Sequence, residues 1–268
     1  SGFTATGNVI TGNYIGTTAN GTGNITSSSQ DYGIHTTFGA SNVTIGGNTA
    51  NDKNVISGNT YSGVQIDENS TSNIKVFGNT VGAGADNNQI VGATQQHGVQ
   101  ILRGATNNLI GGPSEQGNLI SYNTTTGVSI PQGTAEDFCF PDPCSPASTN
   151  HNRISRNLIH DNPKAIDLDY ELPPAGNDGK PIPTITTFTA TELSGTAQAN
   201  DSVEVFLGDA NHQNANSFIG IATANAQGNW TLAFTVNLSA HYVATAREAS
   251  YNTSELSGNC LITVDAGP

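Results

Sequence analysis

Apolar residues come in short bursts along this chain. The bursts run three to five residues, are rich in Val, Ile and Thr, and are bounded by Gly, Asn and Ser. Within each burst, apolar and polar positions alternate. Short β-branched alternation is strand chemistry, and the bounding residues are turn formers. Apolar spacing of the amphipathic-helix kind is absent over any long window.

The bursts repeat. "YGIHT" at 32–36 is followed by "SGVQI" at 62–66, "HGVQI" at 97–101, "TGVSI" at 126–130 and "KAIDL" at 164–168. The spacing, roughly 30 to 38 residues, is that of stacked-repeat architectures. A second phrase precedes each: "VITGN", "VISGN", "KVFGN", "LISYN" and "RISRN". A third, "NVTIGG" or "NNLIGG", occurs in the second and fourth units only. The units therefore alternate between two kinds, and "NVISGNTYSGVQI" at 54–66 is echoed two units later by "NLISYNTTTGVSI" at 118–130.

Three short strands per unit predict one coil of a parallel β-helix. Five coils about 4.8 Å apart would make a rod roughly 20–25 Å tall. The Asn content then has a structural reason. Asn tolerates the left-handed backbone of a sharp corner, and stacked amides can bond from coil to coil. The five phrase ends, Asn13, Asn59, Asn79, Asn123 and Asn157, are expected to form one ladder. Sugar ligation by exposed copies is the functional alternative, but buried amides need partners first.

The pattern changes after Leu168. Residues 1–172 are assigned to the β-helix and 173–183 to a Pro/Gly-rich linker. Residues 184–268 are expected to form a small antiparallel sandwich of seven strands with Trp230 in its core. The fold class is all-β.

The pattern "NxIGG…GNVISGN…GVxI…GNYIGT", over about residues 8–170, resembles the right-handed, pectate-lyase-like parallel β-helix repeats of large secreted bacterial and archaeal surface proteins. "YVATAREASYNTSELS" at 242–257 resembles the last strands of bacterial immunoglobulin-like repeats. The resemblance implies a fold; such repeats occur in adhesins, surface-layer components and carbohydrate-active enzymes alike.

Composition narrows the field. Of 268 residues, 35% are hydrophobic and only 11% charged, so uncharged polar residues make up the apolar deficit, unlike a disordered chain. Eight basic residues face 21 acidic ones, a net charge of −13. That balance argues against nucleic acid and anionic membrane surfaces. No apolar run approaches the roughly 18 residues of a membrane span. The chain has no Met and opens at Ser1, which reads as a processed or trimmed form. Cys139 and Cys144 in "CFPDPC" are expected to form a disulfide, which places the protein outside the cell or on its surface. Cys260 is left over, as a buried thiol or an intermolecular bridge; the buried thiol is favoured.

Candidate chemistry is sparse. Asp167, Asp169 and Glu171 in "AIDLDYE" alternate, so a strand would point all three one way. They form a candidate calcium site, against the alternative of a solvated strand face. Asp67 and Glu68 read as a solvated pair. His151 and His160 lack partners at zinc spacing. The N-T-D, D-D, G-H-G and R-I-K motifs by which polygalacturonases resemble one another are missing, and "NRIS" at 152–155 lacks the Lys. Few basic residues suit an acidic rod poorly to uronate substrates.

The expectation is a non-enzymatic extracellular structural or adhesive protein. A coil phrase opens the chain almost at once, so it is a candidate subunit of a head-to-tail filament or a piece of a longer surface protein. Its partners would be copies of itself, other cell-surface components or a glycan. The alternatives are a polysaccharide lyase or glycoside hydrolase, marked by two carboxylates about 5–9.5 Å apart, and a non-catalytic glycan-binding module. A binder would show exposed aromatic rows, for which Tyr14, Tyr32, Tyr61 and Phe77 are the candidates.

Overall fold

The computed structural model describes residues 5–25, 30–87, 91–92, 94–112, 116–131, 148–169, 175–211 and 213–258. Cys139, Cys144, Glu171, Cys260 and the seventh expected strand lie outside them.

Fifteen short strands make three parallel sheets of five. The first holds β1 (Val9–Ile10), β4 (Thr44–Gly46), β7 (Lys75–Phe77), β10 (Leu109–Gly111) and β13 (Arg153–Ser155). The second holds β2 (Tyr14–Ile15), β5 (Val55–Ile56), β8 (Thr80–Val81), β11 (Leu119–Ser121) and β14 (Leu158–His160). The third holds β3 (Tyr32–Thr36), β6 (Ser62–Ile66), β9 (His97–Ile101), β12 (Thr126–Ser129) and β15 (Lys164–Asp167). Each coil gives one strand to each sheet in turn. The result is a five-coil parallel β-helix.

Register puts like on like. Ile10, Ile45, Val76, Ile110 and Ile154 stack in the first sheet. Ile15, Ile56, Val81, Ile120 and Ile159 stack in the second, and Ile34, Val64, Val99, Val128 and Ile166 in the third. These side chains fill the core. Full burial of each contributes about 1.5–3 kcal/mol. The glycine at the second position of the first four third-sheet phrases is required by the same stacking. A Cβ on Gly63 would lie 2.6 Å from Val81 Cγ1 and 2.8 Å from the Gly98 carbonyl oxygen of the next coil.

The corners carry the asparagines, but in three columns rather than one. At the first corner, before each second-sheet strand, stand Asn13, Asn54, Asn79, Asn118 and Asn157. Asn118 shows the unit. Its Oδ1 accepts from the Asn79 backbone N–H and side-chain amide, both at 3.0 Å, and its Nδ2 donates to Val76 O and Asn157 Oδ1, both at 2.8 Å. Two donors and one twofold acceptor are thus all used. At the second corner stand Asn59, Gln95, Asn123 and Asn162, linked amide to amide at 2.8–2.9 Å. At the third stand Asn108, Asn152 and Asn177. The single ladder expected from the sequence is therefore corrected. Asn13, Asn79 and Asn157 share one column, while Asn59 and Asn123 belong to another. Both corners need a tight bend followed by an amide, so the same phrase serves at each.

Six antiparallel strands follow. β16 (Thr184–Phe188), β17 (Glu192–Thr196) and β20 (Asn229–Ala233) form one sheet; β19 (Ser217–Thr223), β18 (Ser202–Leu207) and β21 (Tyr242–Arg247) form the other. Between them lies a core with Leu193, Val203, Val205, Ala244 and Trp230, the last only 1% exposed.

This tail unit closes the end of the solenoid. Ile154 N–H donates to Thr253 Oγ1 (3.0 Å), and Leu168 N–H to Glu255 Oε1 (2.8 Å). Ile159 and Ala215 exchange backbone bonds of 2.9 and 2.7 Å. The tail unit thereby bonds β13, β14 and the residue that follows β15, at the end of the solenoid where unpaired strand edges would otherwise stand. The segment expected as a linker is tied down as well. Asn177 ends the third column, accepting from Asn152 N–H and donating to Thr253 O, both at 3.0 Å. Buried Lys180 pairs with Asp201 Oδ1 at 2.8 Å.

Candidate functional site

The first two sheets end in columns of like residues, whereas the outer face of the third does not. Two rows run across it. Register aligns Tyr32, Ser62, His97, Thr126 and Lys164 in one, and His35, Gln65, Gln100, Ser129 and Asp167 in the other. Ser62 Oγ donates to Gln100 Oε1 (3.1 Å), and His97 Nδ1 lies 2.7 Å from Thr126 Oγ1. Burial pushes the His97 pKa down, against the pull of Asp167.

Beyond the strands the chain turns at Phe38, Glu68 and Arg103, which occupy equivalent places in coils one to three. All three have left-handed backbones, with φ of 53°, 74° and 46°. Such φ is uncommon for bulky residues and costs energy that the surroundings must supply. Glu68 links the three: its Oε2 accepts from Phe38 N–H (3.3 Å), and its Oε1 lies 3.9 Å from Arg103 Nη2.

Asp67 sits beside this column and is 0% exposed, so the sequence-based reading of it as solvated is corrected. Its Oδ2 receives His35 Nε2 (3.3 Å), Gln65 Nε2 (3.2 Å) and the Arg103 guanidinium. Burial works to raise its pKa, but the His35 hydrogen bond, the Arg103 charge and the Gln65 amide outweigh it and hold the carboxyl below its ordinary value. An ionised carboxylate locked by a guanidinium is a poor general acid. Its Oδ1, also buried, has no hydrogen-bond partner.

Aromatic rings line the same end of the face. Tyr32 lies 4.9 Å from His35 and 6.0 Å from Tyr61, centroid to centroid, and Tyr61 is exposed. Phe38 is 79% exposed. No protein-family model and no curated protein matches the chain. The site therefore has to be read from its own groups.

Of the aromatic candidates read from the sequence, Tyr32 and Tyr61 come together here. Tyr14 lies in the second sheet against Gly21, and Phe77 in the first. Phe38 was missed, because "HTTFGA" reads as a turn; a bulky aromatic just before Gly39 was the available signal. Arg103 carries no signal of its own in the sequence, since its partner lies 36 residues earlier.

Asp167 and Asp169 of "AIDLDYE" sit at the far end of the third sheet. Asp167 Oδ1 bonds Lys164 Nζ at 2.7 Å and accepts from Asp169 N–H at 3.1 Å. Lys164 also lies 3.0 Å from Glu255 Oε1. A cation of the chain itself thus occupies this cluster, and the third expected ligand, Glu171, is outside the described residues. Among the described residues, no group of three His, Cys, Asp or Glu side chains converges as metal ligands would. His160 pairs with Asp161 (2.7 Å), while the His151 backbone N–H donates to Asn252.

Proposed function

We propose that the protein is a non-enzymatic, extracellular adhesive surface protein whose rod presents a glycan-binding face on the third sheet. The observation that carries this reading is Phe38: a large apolar ring, held out in solvent on a left-handed backbone that no packing need explains. It lies just past the end of β3, where Glu68 accepts from its backbone N–H, and Tyr32, His35 and Tyr61 pack together along the same face. Flat aromatic faces with a few placed polar groups are how apolar C–H surfaces and hydroxyls are recognised together. The tail unit, read as an immunoglobulin-like module, serves as the cap of the rod. End-to-end association in this scheme runs through the outer surface of the tail unit, because its inner surface is spent on the last coil.

The test is retention on an array of neutral and acidic polysaccharides, with Phe38→Ala and Tyr32→Ala as variants. The expected result is binding that falls about ten-fold or more in each variant, with no new reducing ends or unsaturated sugars in the bound glycan. Failure of every glycan to bind, or unchanged binding by both variants, overturns the glycan face. Release of cleaved product overturns the non-enzymatic reading and favours a lyase or hydrolase.

A further inference from the structure

The alternation of units builds a second feature, at the first corner, away from the third-sheet face. In coils three and five this corner is a bare dipeptide, Gly78–Asn79 and Arg156–Asn157, and in coil one it is the tripeptide Thr11–Gly12–Asn13. In coils two and four the "IGG" phrase opens a longer loop instead. Two long loops therefore flank the short corner of coil three. Gln116 Nε2 from one reaches Asn48 Oδ1 of the other at 2.7 Å.

Between them lies a cleft of about 430 Å³, within the usual range of small-ligand sites. Its floor is bare backbone. A Cβ on Gly78 would meet the Gly47 carbonyl oxygen at 2.1 Å, and one on Gly117 would meet that of Arg156 at 2.0 Å. Its walls carry the amides of Asn48 and Asn87, the hydroxyls of Thr49 and Thr80, and two cations, Lys53 and Arg156. Phe218 of the tail unit completes it, with the Arg156 guanidinium 4.8 Å above its ring.

The charges are the telling part. The chain has eight basic residues against 21 acidic ones, yet two of the eight share this cleft and, among the described residues, no carboxylate lines it. Neither cation forms an ion pair among the described residues. The nearby carboxylates are turned elsewhere. Asp52 accepts from Thr49 N–H (3.1 Å) and Oγ1 (2.8 Å), and Glu204 accepts from the Arg156 backbone N–H (2.8 Å) and the Ser155 hydroxyl. Arg156 Nε is buried and has no hydrogen-bond partner. A guanidinium stacked on a ring keeps its planar edge free for a bidentate oxyanion.

We infer that this cleft binds a small polyhydroxylated anion, a sugar bearing one carboxylate or sulfate group. The oxyanion docks on Arg156 and Lys53, while amides, hydroxyls and floor carbonyls take the ring hydroxyls. The site comes from the solenoid except for Phe218 of the tail unit, so occupancy also touches both.

Calorimetric titration of the whole chain with glucuronate, glucose 6-sulfate and glucose tests this. The expected result is binding of at least one anionic sugar at about 1 mM or tighter, and glucose weaker by about ten-fold or more. A carboxylate that binds better than the sulfate assigns the planar oxyanion; the reverse assigns the sulfate. Arg156→Gln and Lys53→Gln should each weaken the anionic sugar, Arg156→Gln by about ten-fold. The Lys53 side chain makes no ion pair or hydrogen bond among the described residues, so it reports even where Arg156→Gln unfolds. Phe38→Ala should leave this binding unchanged, which separates the cleft from the glycan face. Equal affinity for glucose, no binding of either anion, or wild-type affinity in Lys53→Gln would each overturn the inference.

Discussion

The first and third corners of the solenoid bend by similar means and carry opposite kinds of information. At the first, every coil supplies the same residue, and Asn13, Asn54, Asn79, Asn118 and Asn157 satisfy one another in file. At the outer third corner, equivalent left-handed positions hold Phe38, Glu68 and Arg103: an aromatic, an acid and a base. Where each neighbour is chemically identical, the stack itself accounts for the residue. Where neighbours differ and the backbone is strained, likeness between coils does not account for the residues, although Glu68 and Arg103 still bond across them. A second demand must have chosen them, and the glycan face is our account of it.

The largest effect should come from breaking the regular column. Asn118→Ala removes the acceptor of two Asn79 donors and the donor to Val76 O and Asn157 Oδ1, all of them buried. Orphaned buried amides cost about 1–3 kcal/mol each. We expect a loss of about 3–5 kcal/mol in denaturant unfolding, with glycan binding per folded molecule unchanged. A loss below about 1 kcal/mol would show that the column is decoration.

At the irregular corner the expected loss is smaller and depends on pH. Arg103→Gln leaves Asp67 buried with weaker partners, at a cost of about 2 kcal/mol, discounted because the Arg103 side chain is one-third exposed. The Asp67 pKa is depressed in the folded state. As pH falls from about 3.8, the ordinary value, the unfolded chain takes up the proton first, so stability is lost across the interval down to the folded pKa. Above that interval the contribution is complete. Asp67→Asn should flatten the acid limb of the stability curve; an unaltered limb would remove Asp67 from the account.

These same corners show what a sequence can disclose. Strands were legible because β-branched pairs such as Val55–Ile56 and Thr80–Val81 stand between turn residues. The column membership was not. "VISGN" and "KVFGN" look alike, yet one ends at the second corner and the other at the first. Reading forward from the amide separates them: Asn13, Asn54, Asn79, Asn118 and Asn157 each directly precede a second-sheet strand. Gln95, which does the work of Asn in the second column, breaks the phrase and was invisible. The Asp67–Arg103 pair was hidden because adjacency across coils follows register, and loops of unequal length obscure register. The tie between Asn177 and the third column lay in a stretch whose Pro and Gly content resembles a tether.

The smallest effect is the most discriminating, because the two corners predict opposite signs. At a regular position every substitution should destabilise. Phe38→Gly should instead stabilise, since glycine adopts positive φ freely and the exposed ring loses little packing. A gain of about 0.5–1 kcal/mol is expected, after allowing for the greater freedom of glycine in the unfolded chain. In thermal unfolding this would appear as a rise of about 2 °C, accompanied by loss of the glycan retention that Phe38→Ala also abolishes. A residue whose removal strengthens the fold and weakens binding is kept for binding. If Phe38→Gly lowers the midpoint, the ring is holding the corner, and the third corner becomes one more structural bend.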